Sequence, residues 1–294
     1  MSDIIKKKNI SFSQFSTYWT CENKFYRDYI LKKRIFDSSI ILCFGTGCHD
    51  TIQLYLKTLF WKSEKQADKM DLMRYFKWAF KHELTKNKVK YTPEEWDEFV
   101  DDAQLILDEF VLPENRKRYF PVNKYELLGI ETELKEEILN NLNVIGFFDL
   151  VLREKLTGDI KIIDFKTSTR GWTSEKEDFT KLAQLRLYKA LYSKKYNIPL
   201  NKIKVEFFIL KRKVYDTSKC SYPQTRLIPF IPTSYKSDID ETLHEFIGFV
   251  GECFTKEGEY ITDRTYRKVP GDKKKNCKYC LYLKDGSCDG KADK

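Results

Sequence analysis

A chain of 294 residues with 41% hydrophobic content can bury a core, which sets it apart from intrinsically disordered sequences. Lys and Arg outnumber Asp and Glu by 53 to 44, and the resulting net charge of +9 suits a polyanionic partner. No stretch approaches the roughly 18 consecutive apolar residues of a membrane span, and MSDIIKKKNI lacks a signal peptide's apolar core, so an intracellular protein with no membrane partner is expected.

Neither repeats nor a Gly-, Ser- or Pro-rich linker interrupts the chain, so one domain over 1–294 is expected, in three zones. Zone 1–120 reads as mainly helical. SFSQFSTYWTCENKFYRDYILKK opens on Ser caps and continues with apolar residues at helical spacing. CHDTIQLYLKTLFWK predicts a second helix that starts after FGTG, and DLMRYFKWAFKHEL and TPEEWDEFVDDAQLILDEFVL predict two more. Thr92, Pro93 and Glu94 make a conventional start for the last of these. Zone 121–233 changes period: YELLGIETELKEEI, NVIGFFDLVLRE and DIKIIDFKTS predict a strand meander. The helix SEKEDFTKLAQLRLYKALYSKKY follows, then strands at KIKVEFFILKRKV and TRLIPFIP. The pattern is α/β, a mixed sheet with helices against it. Zone 234–294 holds the helix DIDETLHEFIGFVGECF and a basic, cysteine-bearing tail too small to fold on its own hydrophobic burial.

IIDFKT is an apolar strand that carries an acid and a base. Alternate side chains share a strand face, so Asp164 and Lys166 point together while Ile163 and Phe165 point away. Asp149, in GFFDLV, lies fifteen residues earlier on the preceding strand, where a hairpin would bring it alongside. Two converging carboxylates bind a hard cation such as Mg2+ or Mn2+, and a nearby Lys can position or deprotonate a water. An ion pair at a strand end would account for Asp164 and Lys166 equally well.

In order along the chain, FGTGCHDTI, GFFDL, IIDFKTS and QLRLY resemble the motifs of the PD-(D/E)XK nuclease superfamily, in particular its RecB-like exonuclease branch with CRISPR-associated and AddB-type relatives. The resemblance implies a restriction-endonuclease-like core and a phosphodiester hydrolase. It makes His49, Asp149 and Asp164 ligands of Mg2+ or Mn2+, and Lys166 the catalytic lysine. Gln184 and Tyr188, one helical turn apart, match a QxxxY element that supports the site or the DNA. Glu131 matches an acidic residue one strand earlier more loosely; it shares its face with Glu133, and a solvated strand face would explain both.

Cys277 and Cys280 form C-x-x-C in the tail, and Cys288 follows. Three thiolates leave one position of a tetrahedral site or a cubane open. SFSQFSTYWTCENKFYRDY resembles the opening of the iron-sulfur members of the same branch, which implies that Cys21 completes a [4Fe-4S] cluster and ties the two chain ends together. Glu22 stands where such relatives usually have Pro, the gap from Cys280 to Cys288 is longer than is common, and Zn2+ suits the same thiols. Cys43, Cys48, Cys220 and Cys253 read as buried small hydrophobes, and His82 and His244 as structural or surface residues.

Basic clusters at KKRIF, ILKRKV and RTYRKVPGDKKKNCKYC would meet phosphates, with Lys273, Lys274 and Lys275 the leading cations. Tyr18, Trp19, Phe25, Tyr26, Tyr29 and Trp172 offer stacking, although helical spacing favours the core for most. The expected function is a metal-dependent deoxyribonuclease, an exonuclease on single-stranded DNA or DNA ends, with or without a protein complex around it. A DNA-binding or complex-assembly subunit that keeps the fold for architecture is the other reading.

Overall fold

The computed structural model describes residues 8–35, 38–173, 178–215, 218, 222 and 224–293; Cys220 lies outside them. The meander forms as β2 (Tyr125–Glu137), β3 (Leu142–Glu154) and β4 (Ile160–Ser168), each antiparallel to the one before. Asn140 and Asn141 make the β2–β3 turn at φ of 52° and 54°, a region asparagine enters more readily than most residues. β5 (Ile203–Lys211) runs parallel to β4, β6 (Leu227–Phe230) antiparallel to β5, and β1 (Lys8–Ser11) parallel to β3. The result is the expected mixed sheet, with six strands.

Helices α1 (Phe12–Thr20), α2 (Glu22–Phe25), α3 (Ile40–Trp61), α4 (Glu64–Ala67), α5 (Leu72–Lys86), α6 (Pro93–Val111) and α7 (Pro113–Tyr119) precede the meander. α8 (Phe179–Tyr196) makes the crossover from β4 to β5, and α9 (Lys236–Cys253) and α10 (Leu281–Lys284) close the chain. α6 begins with the expected cap: the Thr92 hydroxyl accepts from Glu95 N–H, and the Glu95 carboxylate accepts from Thr92 N–H.

Two helices depart from expectation. α3 starts at Ile40 and carries FGTG inside it. Its glycines serve close approach: a Cβ at Gly45 would stand 2.8 Å from Thr167 Oγ1 of β4, so the helix lies directly on the strand. The first predicted helix breaks at Cys21, whose backbone is extended (φ −164°, ψ 111°), into α1 and α2.

Apolar side chains fill both faces of the sheet. Ile162 and Phe207 join Phe15, Leu185 and Phe246 of α1, α8 and α9; their neighbours Ile163 and Phe208 join Phe44, Phe80 and Ile106 of α3, α5 and α6. Cys43, Cys48 and Cys253 are buried in these cores as expected, and His82 and His244 are exposed. No helix among the described residues is long and apolar enough to cross a membrane.

Candidate active site

The sheet forks at β3. One edge of β3 pairs with β2 along nearly its whole length, while the other is shared: β1 takes Leu142–Ile145 and β4 takes Leu150–Arg153. Residues 146–149 face the gap. The N–H of Phe165, just past the last β3–β4 pair, is instead satisfied by Asp149, whose Oδ2 accepts it at 2.7 Å.

Both strands reverse their faces at this rung. Phe148 belongs to the α8 core and Leu150 to the α3 core, although two residues along a regular strand share a side. In β2, Ile130 packs on the α3 core and Leu134 on the α8 core. Glu131 lies between the pairs Ile130–Leu150 and Thr132–Phe148, opposite Asp149, at a φ of 48°. A left-handed glutamate is strained, and that strain is stored at the fork.

Beside Asp149 and Glu131, side chains reach the fork from three more elements. From β4, Asp164 is buried, with Lys166 Nζ 2.6 Å from its Oδ2. From α8, Gln184 Nε2 donates to Asp164 Oδ1 at 3.0 Å and lies 3.4 Å from the Tyr188 hydroxyl. Tyr188 fits because β3 has a glycine there: a Cβ at Gly146 would stand 2.8 Å from its ring. From α3, one turn beyond Gly45, His49 meets the Phe165 ring edge to face, with Nδ1 3.9 Å from Asp149 Oδ2. Gln53, a further turn along, donates to Glu131 at 2.6 Å.

Electrostatically the fork is incomplete. Burial and the charge of Asp164 push Asp149 up to about 8, against the pull of Lys166. Burial also raises Asp164, against the pull of Lys166, which meets the buried Oδ2 as an ion pair at 2.6 Å; no other donor reaches that oxygen among the described residues. Burial and the Lys166 charge lower His49 to about 4, which leaves a neutral imidazole free to donate a lone pair. An added cation would favour all three groups in the state that binds it.

The cysteine-bearing tail meets the N-terminal helices. Cys21, at the α1–α2 break, accepts Val269 N–H at 3.5 Å. Burial raises the Cys277 thiol, and repulsion from Cys280, Cys21 and Cys288 raises it further; Asn276 Nδ2, next to Cys277, donates to Thr20 O, next to Cys21, which brings the tail cysteines towards Cys21. None of the four is in a disulfide. Among the described residues, no three or more His, Cys, Asp or Glu side chains stand at metal-ligand spacing, at the fork or at the cysteines.

Residues the sequence did not single out fasten this junction. Glu22 is buried and accepts from Arg267 Nε (3.1 Å) and Nη2 (2.9 Å) through one oxygen, and from Arg264 Nη2 (2.9 Å) through the other. Asn276 donates to Thr20 O, and the Tyr282 hydroxyl to Asp28. The one available signal was an acid where relatives have proline. Lys273, Lys274 and Lys275 are exposed on a tight turn beside Cys277, away from the fork's own residues in the sequence. As helical spacing favours, most of the aromatics are in the core: Phe25 is fully buried, Tyr18, Tyr26, Tyr29 and Trp172 pack on it, and Trp19 remains exposed.

Comparison with known proteins bears on this arrangement. A crystal structure of a protein assigned as an exonuclease, from Eubacterium rectale, is 13% identical, with a TM-score of 0.47, over 83% of this chain and 79% of that one. No curated protein matches the chain. The family model of the PD-(D/E)XK nuclease superfamily matches residues 9–284, and the chain belongs to that superfamily.

Proposed function

We propose that this nuclease is a Mg2+- or Mn2+-dependent deoxyribonuclease of the RecB-like exonuclease branch, which hydrolyses phosphodiester bonds of single-stranded DNA or DNA ends. The observation that carries the reading is the fork itself: Asp149, Asp164 and Lys166 meet where the sheet opens, with one buried carboxylate oxygen left without a hydrogen bond. His49, Asp149 and Asp164 would hold the cation, which when bound stabilises charge on the scissile phosphate and activates a water. Glu131, opposite Asp149, would complete the acidic set.

The chain's own groups do the rest. Gln184 occupies Asp164 Oδ1 and so leaves Oδ2 to face Lys166, and Tyr188 backs Gln184. Lys166, a third exposed, is the group that can leave its ion pair and orient the attacking water beside the phosphate. Lys273, Lys274 and Lys275 would contact the DNA backbone away from the cut.

At the junction, the thiols of Cys21, Cys277, Cys280 and Cys288, once drawn together, would supply the four ligands of a [4Fe-4S] cluster, with a backbone N–H donor already on Cys21. Iron, sulfide and zinc content of the purified protein decides between the cluster and Zn2+. The function itself is tested on end-labelled single-stranded DNA with Mn2+ and with EDTA. Chelation should abolish degradation, and Asp164→Asn should slow it at least about a hundredfold. An Asp164→Asn protein of wild-type activity overturns the assignment and leaves the architectural subunit standing.

A further inference from the structure

α5 carries a row of rings that neither the fork nor the core uses. Tyr75, Trp78 and His82 follow one another along one face of the helix. Tyr75 and Trp78 lie 5.5 Å apart between ring centroids, and Trp78 and His82 lie 5.8 Å apart with planes 16° from parallel. Trp78 is 60% exposed, which leaves most of a large apolar ring in water. Beside the row is a groove of about 890 Å3, to which α5 contributes Lys77, Trp78, Lys81 and His82, and the start of α6 contributes Trp96, with Tyr91 just before it. Lys81 Nζ stands 4.8 Å from the centre of the Tyr91 ring and 5.6 Å from that of Trp96. Among the described residues that line the groove, none is acidic.

The row also leads to the fork. Tyr75 lines a smaller cavity of about 190 Å3 with Asp50, Gln53 and Glu131. Asp50 follows His49, and Glu131 lies opposite Asp149. We infer that the α5–α6 groove is a track for single-stranded DNA, with unstacked bases against Trp78 and His82, phosphates near Lys77 and Lys81, and the strand's end delivered past Tyr75 to the fork.

The chemistry selects this occupant over others. Flat exposed rings gain from bases whose faces are free, whereas bases in a duplex are already stacked on one another. An acidic peptide would satisfy the lysines and leave the rings uncovered. The delivery step rests on the nuclease reading of the fork, but binding does not, and the two are measured separately.

The experiment is anisotropy of a labelled oligothymidylate titrated with the full chain in EDTA at fixed salt. Trp78→Ala should weaken binding about tenfold, and Trp78→Tyr should retain most of it, because a ring remains to stack. Duplex DNA and polyglutamate serve as the competing probes. Equal binding by wild type and Trp78→Ala overturns the track, as does polyglutamate binding that depends on Trp78 in the same way. Because Trp78 is largely exposed, its truncation removes little packing, and circular dichroism verifies the fold. If Trp78→Ala loses binding while the wild type with Mn2+ cuts nothing, the track stands and the nuclease reading falls. If the wild type cuts and Trp78→Ala binds unchanged, the reverse holds.

Discussion

The fork and the terminal junction both bury carboxylates, yet they treat them in opposite ways. At the junction both oxygens of Glu22 are taken by arginine donors, with Arg264 and Arg267 from the tail closing on one side chain. At the fork Asp149 and Asp164 lie close enough to oppose each other's charge, and the buried Asp164 Oδ2 has Lys166 beside it as an ion pair but no hydrogen bond. A buried acid that is fully paired holds a structure together, while one left short of partners raises the free energy of the fold. The contrast separates a junction whose buried acid is fully paired from a fork whose buried acids are not. It also changes what the tail requires: the ion pairs and the Asn276 and Tyr282 bonds already dock it, so a cluster at the cysteines would add to that docking rather than create it.

The sharpest way to break this contrast is Lys166→Arg. Arginine keeps a positive charge beside Asp164, so thermal stability should change little. Its planar, strongly basic head cannot take up the lysine's place beside a water, and cleavage should fall at least about a hundredfold. Cleavage kinetics and a melting curve on the same preparation check both halves. Wild-type kinetics would reduce the fork to a charge requirement that any cation meets.

Glu22→Ala probes the other region. Arg264 is partly buried and Arg267 mostly exposed, so both recover some hydration once the acid is gone. The expected loss is therefore about 2 kcal/mol, below the range for a fully buried pair, or about 5 °C in Tm. Cleavage below the melting range should be unchanged, because Glu22 touches none of the fork's residues. Proteolysis in the tail should accelerate, and a tail as protected as in the wild type would show that the remaining contacts hold it without Glu22.

Much of this was legible in the sequence because it is periodic. The shift from helical to alternating spacing near Tyr125 located the meander, and the parity of Asp164 and Lys166 put them together on β4. The break in that parity was not legible. Alternation predicts that Phe148 and Leu150 share a face, and only the left-handed Glu131 opposite Asp149 shows that the two strands reverse there. FGTG reads locally as a turn, yet it continues α3, because contact with Thr167 favours glycine over any residue with a side chain. Glu22 looked like a departure from a motif, since its partners lie more than two hundred residues away, at Arg264 and Arg267, a separation no local pattern encodes.

Asp149→Asn gives the smallest effect on stability and the most specific one. Asparagine keeps an oxygen to accept Phe165 N–H and is neutral at every pH, whereas Asp149, pushed up to about 8 by burial and Asp164, must take up a proton on folding near neutral pH. If the fork raises the free energy of the fold, the metal-free variant should gain about 1 kcal/mol and melt about 2 °C higher, while losing cleavage. The same exchange at the junction, Glu22→Gln, should lower Tm, because there the charge is fully paired. Opposite signs from two acid-to-amide substitutions in one chain require that the two regions differ in how completely their acids are paired, since lost hydrogen bonding alone would lower Tm in both.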